Sequence, residues 1–292
     1  MYQYDSVDFL VNEAEKNNKK ISELILKEQA ERMEITRDDL YSKMEKRFEV
    51  MEEAVKKGSM PGLRSVSGLS GGDAYKMKCQ VDRGENLCGP LFGHVLTKAL
   101  AVSELNSCMG KIVAAPTAGS CGIIPSAVLT IMEDKNIDRK DAVMSLFTAS
   151  GIGIVIANKA SISGAEGGCQ AECGTASAMA AAAITEMAGG TPRMISNAAA
   201  IALKSILGLV CDPVAGLVEV PCIKRNAMGA ANALTAAELA LAGIESRIPV
   251  DEVIEAMKKI GDMMPSCLKE TAQGGLADTK TGRFYKKAGF DL

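Results

Sequence analysis

Tryptophan is absent from this chain of 292 residues, and histidine occurs once, as His94. Aromatic side chains make up only 4% of the composition, which leaves little material for the stacking platforms that hold single-stranded nucleic acid. The net charge of −3 and a pI near 5.5 give no basic footprint for a phosphate backbone, so no nucleic-acid partner is expected. One histidine cannot build a histidine-ligated metal site, and a Ser-His-Asp hydrolase would depend on His94 alone. That residue lies on a helical pattern beside Val95 and Leu96, where a helix-surface or core role is expected. A Walker loop is missing, and "GIGIVIA" (151–157) lacks the third glycine of a dinucleotide fingerprint. The N-terminal residues carry acids early, unlike a secretory leader, and a cytoplasmic location is expected. The uncharged stretch 112–132 is long enough to span a bilayer. It is interrupted by Pro116, Gly119, Gly122 and Pro125, so it reads as buried in protein, with no membrane partner.

Apolar residues make up 47% of the chain, ample for a large core. Charge is unevenly spread: the first 60 residues hold 14 acids and 11 bases, leaving 44 charged side chains for the other 232. The expectation is a charged helical N-terminal extension (1–60) leading into a more deeply buried body (61–292). Within the extension, Thr36 and Asp39 resemble a capping box, Leu40, Met44, Phe48, Met51 and Val55 form a stripe, and Gly58 reads as the stop. Residues 59–90 are glycine-rich without either period and read as loop. Beyond them, alanine-rich helical segments are expected near 92–109, 125–134, 140–160, 170–187, 192–208, 226–243 and 250–260, with Thr191-Pro192 as a cap and first turn. Strand patterns are nearly absent, and the fold class read from the sequence is all-α, with one helical catalytic body.

Four loops lie among these helices: "SGLSGGD" (67–73), "APTAGSCGIIP" (115–125), "SISGAEGGCQ" (161–170) and "CDPVAGLVEVPCIKRN" (211–226). Loops on a rigid helical scaffold are where ligand chemistry concentrates. The glycines of "SGLSGG" and "GSCGIIPSA" could cradle a phosphate, as in a pyridoxal-phosphate enzyme, but no lysine context supports one, and tight turns and close helix packing account for them. Nine cysteines without a leader do not argue for a disulfide framework, and some must be core residues. Cys169, Cys211 and Cys222 differ from the rest, because Gly and Pro neighbours stiffen their loops as iron-ligating thiolates require. Cys173 is one helical turn from Cys169, and its alanine-rich surroundings read as structural. No compact C-x-x-C run is present, so the spacing leaves cluster ligands and core thiols both open.

The segments "APTAGSCGIIP", "SISGAEGGCQAE" and "CDPVAGLVEVPCIKRN" closely resemble the signatures of the iron–sulfur-dependent L-serine dehydratases (L-serine ammonia-lyases), specifically the alpha chain of the two-subunit type. The resemblance covers the chain from about residue 60 onward. It implies an all-helical catalytic chain, a [4Fe–4S] cluster on Cys169, Cys211 and Cys222, no pyridoxal phosphate, and conversion of L-serine to pyruvate and ammonia. Thr117 and Ser163, on Gly-rich turns, are candidates to bind the substrate carboxylate. Arg225, beside Cys222, either does the same or pairs with a structural acid. In the resembled family the general base is a histidine in an S-H-T-x-G-P loop, which two-subunit members carry on the beta chain; nothing like it occurs here, so a beta-chain partner is expected. Two alternatives stay open: a cluster lyase of the L-cysteine desulfidase type, or a cluster-carrying subunit without chemistry of its own.

Overall fold

A computed structural model describes residues 5–288. Among these the chain is all-α, with no strand beyond one isolated backbone bridge. The N-terminal helices α1 (Val7–Lys16), α2 (Ile21–Arg32) and α3 (Arg37–Gly58) face charge outward and bury Val7, Leu10, Val11, Ile21, Ile25 and Phe48 in the same core as the rest of the molecule. Caps open two of them. Ser6 accepts from Phe9 N (3.0 Å) and Thr36 from Asp39 N (3.1 Å), satisfying first-turn amides. Gly58 closes α3 as expected, but it has a packing task as well. A Cβ there would lie 1.9 Å from the Ala101 carbonyl oxygen, so only glycine lets α3 press against the following core helix.

Residues 59–90 are not wholly loop, because α4 (Asp73–Asp82) lies within them. Its start has Gly72 in the left-handed region (φ 86°) and no local side-chain cap. The cap comes from α5 (Gly89–Ser107): the buried Glu104 carboxylate accepts from Asp73 N (2.9 Å) and Ala74 N (3.1 Å). A carboxylate at a helix start also answers the positive end of the helix dipole.

The body is built around α9 (Thr175–Met187), where every residue from Thr175 to Glu186 is buried. A helix apolar on all sides belongs at the centre of a core, and its alanines allow close approach from every direction. Packed on it are α6 (Ile123–Asp134), α7 (Arg139–Lys159), α10 (Pro192–Lys204) and α11 (Cys222–Leu241). Among the described residues α7 is the one helix long and apolar enough to cross a membrane, but 67% of its apolar window is covered by the rest of the protein. Stretch 112–132 is not a single helix: an extended segment and a turn (Ala118–Ser120) precede α6. The single turn α8 (Gly164–Gly167) links α7 to α9, and α12 (Val250–Met263) packs on α10. The described chain ends with α13 (Lys280–Ala288).

A cavity of about 450 Å³ opens between α2, α3 and α7, walled by residues such as Ile25, Met44, Met51, Phe147 and Pro116. None of the candidate thiols lines it.

Candidate active site

The loops at 113–122, 160–170 and 205–221 meet at one end of α9 and α11, and three buried amides and carboxylates hold them there. Gln170, fully buried, donates from Nε2 to Met257 O (3.1 Å), accepts from Gly208 N (2.9 Å), and donates its backbone N–H to Leu209 O (2.9 Å). It thereby ties the Cys169 turn to the Cys211 loop and to α12. Asn226 accepts from Gly122 N (2.8 Å) and donates to Gly119 O (2.7 Å) and Cys222 O (3.0 Å), fixing the first turn of α11 to the Thr117 loop. Glu219, between the two cysteines of the third loop, accepts from Ser67 and Ser70 of the "SGLSGGD" segment. Buried polar groups with all partners in place fix a unique arrangement. Cis peptides precede Pro116 and Pro221, next to Thr117 and Cys222.

Cys211 is pinned from the far end of the chain. Its N–H donates to Leu268 O (2.8 Å) and its carbonyl accepts from Glu270 N (2.9 Å). Its neighbour Asp212 accepts from Leu276 N (2.7 Å). Asp212 also pairs with Arg225 at 2.8 Å, off the N–H axis, while Arg225 donates to Val210 O (2.8 Å). Arg225 thus pairs with a buried acid, the two side chains being only 14% and 3% exposed, and also interacts with Cys169.

Cys169 and Cys173 bring their sulfurs to 3.4 Å, and both are buried. Cys169 is held below the ordinary thiol pKa, first by the hydrogen bond with Cys173 and, against burial, by the Arg225 charge. Cys173 is driven up by the same bond and by burial. Burial raises Cys211 and pushes Cys222 up to about 12, and the charge of Cys169 adds to both. The four thiols thus share one electrostatic environment. Arg225 is the one cation acting on Cys169 and Cys222, and none acts on Cys211; a bound metal centre, as Lewis-acidic cation, reverses the cost of ionising such buried thiols. The backbone runs close beside them: a Cβ on Gly164 would lie 3.0 Å from Cys211 Sγ and 2.8 Å from Glu172 Oε2, so only glycine is accommodated there. Among the described residues no three Cys, His, Asp or Glu side chains converge tightly enough for a single metal ion. A multi-iron cluster makes a different demand, because its thiolates bind separate irons. The soft thiol donor set fits such a group.

Thr117 hydrogen-bonds the Glu172 carboxylate and lies 3.2 Å from Ser120 Oγ. Ser163 stands just before α8 and donates its N–H to Ser161 Oγ (3.1 Å). His94 is exposed on α5. Residues 68–72 spell G-L-S-G-G, matching the G-x-S-x-G elbow of hydrolases, but no strand leads into them and Ser70 is bound to Glu219. Glu172, Gln170, Asn226 and Glu219 escape a reading based on cysteine spacing. One signal did mark Glu172: it is the only charged residue between Glu166 and Glu186.

An all-helical body presenting thiols on two loops packed beside a third defines the class of protein. Residues 16–277 match the family model described as "Serine dehydratase alpha chain". The chain belongs to that family. It is 55% identical to a probable L-serine dehydratase alpha chain of Bacillus subtilis, over 91% of this chain and 89% of that one. It is 43% identical to the L-serine dehydratase alpha chain of Peptoniphilus asaccharolyticus, over 92% of each. The L-serine dehydratase of Streptomyces coelicolor is 38% identical over 94% of this chain but 61% of its own length.

Proposed function

We propose that this chain is the cluster-bearing subunit of an L-serine dehydratase, converting L-serine to pyruvate and ammonia, with Cys169, Cys211 and Cys222 holding a [4Fe–4S] cluster. The observation that carries this reading is the tying together of the two loops that bear those cysteines, through Gln170 to Gly208 and Leu209, with Cys169 and Cys211 buried and Cys222 partly so. Membership of the family and two relatives named as alpha chains of L-serine dehydratase support the substrate and a partner chain. When bound, a cluster with three protein ligands offers one open iron as a Lewis acid toward the substrate hydroxyl. The remaining tasks fall to this chain and its partner. Thr117, beside Glu172, and Ser163, next to Gly164, would supply hydroxyls for the substrate carboxylate. Arg225 and Asp212 hold the Cys211 loop in place. Loss of the Cα proton and the β-hydroxyl leaves aminoacrylate, which tautomerises to an imine and hydrolyses in water. The proton acceptor is a group of the beta chain, since this chain's single histidine is a solvent-facing residue of α5. Cytoplasmic location follows from the same reading.

The test is anaerobic purification, an iron count, and pyruvate assay with and without the partner chain. Wild type should carry about four irons per chain and make pyruvate only with the partner. Cys211→Ser should lose both iron and turnover. Full iron in that variant would refute the ligand assignment. Sulfide release from L-cysteine in preference to serine turnover would redirect the reading to a desulfidase, and no turnover in any combination would leave a binding subunit.

A further inference from the structure

We propose that the Glu172 carboxylate is the seat of the substrate's α-ammonium group and sets a preference for amino acids over the matching hydroxy acids. The proposal rests on the serine dehydratase reading and assigns one of its three substrate contacts.

Position is the first argument. Glu172 lies in the π-turn Gln170–Gly174, between Cys169 and Cys173 in the chain and just before α9. The wide turn inserts an extra residue and re-aims side chains that a regular helix would send elsewhere, a device common at functional sites. Two glycines from different loops flank the carboxylate. The nearest atoms to a Cβ on Gly119 would be both Glu172 oxygens, at 3.3 Å, and one on Gly164 would meet Oε2 at 2.8 Å and Cys211 Sγ at 3.0 Å. Both loops therefore carry glycine where the carboxylate and a candidate ligand come together, because a side chain at either position would crowd the carboxylate.

Charge is the second. Among the described residues no lysine, arginine or histidine forms an ion pair with Glu172. Arg225 is taken up by Asp212, the Val210 carbonyl and Cys169. Thr117 gives Glu172 a neutral hydrogen bond, while burial raises its pKa, and the only charge that adds to the shift is the like charge of Glu270. A largely buried carboxylate left without a cation is costly unless a ligand supplies one. Serine brings one ammonium, one carboxylate and one hydroxyl. Only the first complements Glu172, which leaves the carboxylate and hydroxyl to the rest of the site.

The experiment uses the cluster-loaded chain with its partner and the variant Glu172→Gln, which keeps the shape and the Thr117 hydrogen bond. Calorimetry compares two ligands that do not react, L-alanine and L-lactate, which differ in ammonium against hydroxyl. Wild type should prefer alanine by about ten- to a hundredfold, the span expected of a charge-assisted hydrogen bond. In Glu172→Gln that ratio should fall to about one, with KM for serine rising by a similar factor and kcat changing less. A variant that keeps the wild-type ratio overturns the proposal, and so does a loss of kcat at unchanged KM, which would make Glu172 a proton-handling group. Glu172→Asp guards against a variant that fails to load iron. It keeps the charge and should keep the alanine preference at weaker affinity, and its losing that preference would equally overturn the proposal. Absence of serine turnover in wild type would remove the dehydratase reading alone, because the alanine-to-lactate ratio is measured without turnover.

Discussion

Ser70 Oγ lies 2.5 Å from Glu219 Oε2, and Ser67 Oγ lies 2.8 Å from the other oxygen of the same carboxylate. The glycine-rich segment 67–73 is therefore a clamp on the loop that carries Cys211 and Cys222. Glu219→Gln should lower stability by roughly 1–3 kcal/mol, because one serine loses its charged acceptor in a buried place. Urea denaturation gives the magnitude, and hydrogen exchange should rise in both 65–72 and 213–221. Unchanged protection in the cysteine loop would show that the clamp does not reach it.

Gly164→Ala is expected to spare the fold while disturbing the thiols. Its Cβ would press on the Glu172 carboxylate and Cys211 Sγ, so the loop must give way by a few tenths of an ångström. The far-ultraviolet circular dichroism should match wild type, and the iron content after anaerobic reconstitution should fall by more than half (order of magnitude, from the cost of overpacking). Wild-type iron content would mean that the space beside Cys211 has no bearing on loading.

Cys169 and Cys173 separate by role despite their contact. Cys173→Ser should retain iron, since it supports Cys169 from the core side; Cys169→Ser should not. Iron counts on the two variants, prepared in parallel, decide this. The reverse result would exchange their roles.

A pH effect is expected far from the thiols. Glu186 is buried among α2, α7 and α9, accepting from Ser22 N (3.2 Å) and Thr148 Oγ1 (2.7 Å). Burial raises its pKa above the ordinary 4.5, and those hydrogen bonds only partly oppose the shift. The folded state thus holds this proton more tightly than the unfolded one. Its contribution is fullest below pH 4.5 and is lost as pH rises through the elevated folded value. Relative to Glu186→Gln, wild type should lose stability across that window, at up to about 1.4 kcal/mol per pH unit. Urea midpoints between about pH 4 and 8 test this; parallel curves for the two proteins would refute it.

Several parts of this architecture were legible in the sequence. The Thr36 cap, the Pro192 start and the alanine-rich runs place α3, α9 and α10 because their signals are local. What escaped is tertiary. The cap of α4 comes from Glu104, one helix later, so a segment with glycines at its start reads as loop. Gly58 looked like a stop and nothing more, because the backbone of Ala101 that requires its missing Cβ is 43 positions away. At the candidate site, glycine and proline around cysteine marked Cys169, Cys211 and Cys222. Glu172, Gln170 and Asn226 sit in helical surroundings whose periodicity is satisfied whatever those side chains do.

The backbone pairing of Cys211 with residues 268–270 also imposes an order of events. On the ribosome, Cys169, Cys211 and Cys222 emerge before the segment that fixes Cys211 and Asp212 has been translated. Until residues 268–276 have folded back over the loop, Cys211 and Asp212 lack the backbone partners that fix them. On the reading given above, iron delivery therefore belongs after synthesis of that segment, and a nascent chain stalled before it should be a poor acceptor for a cluster-donating carrier.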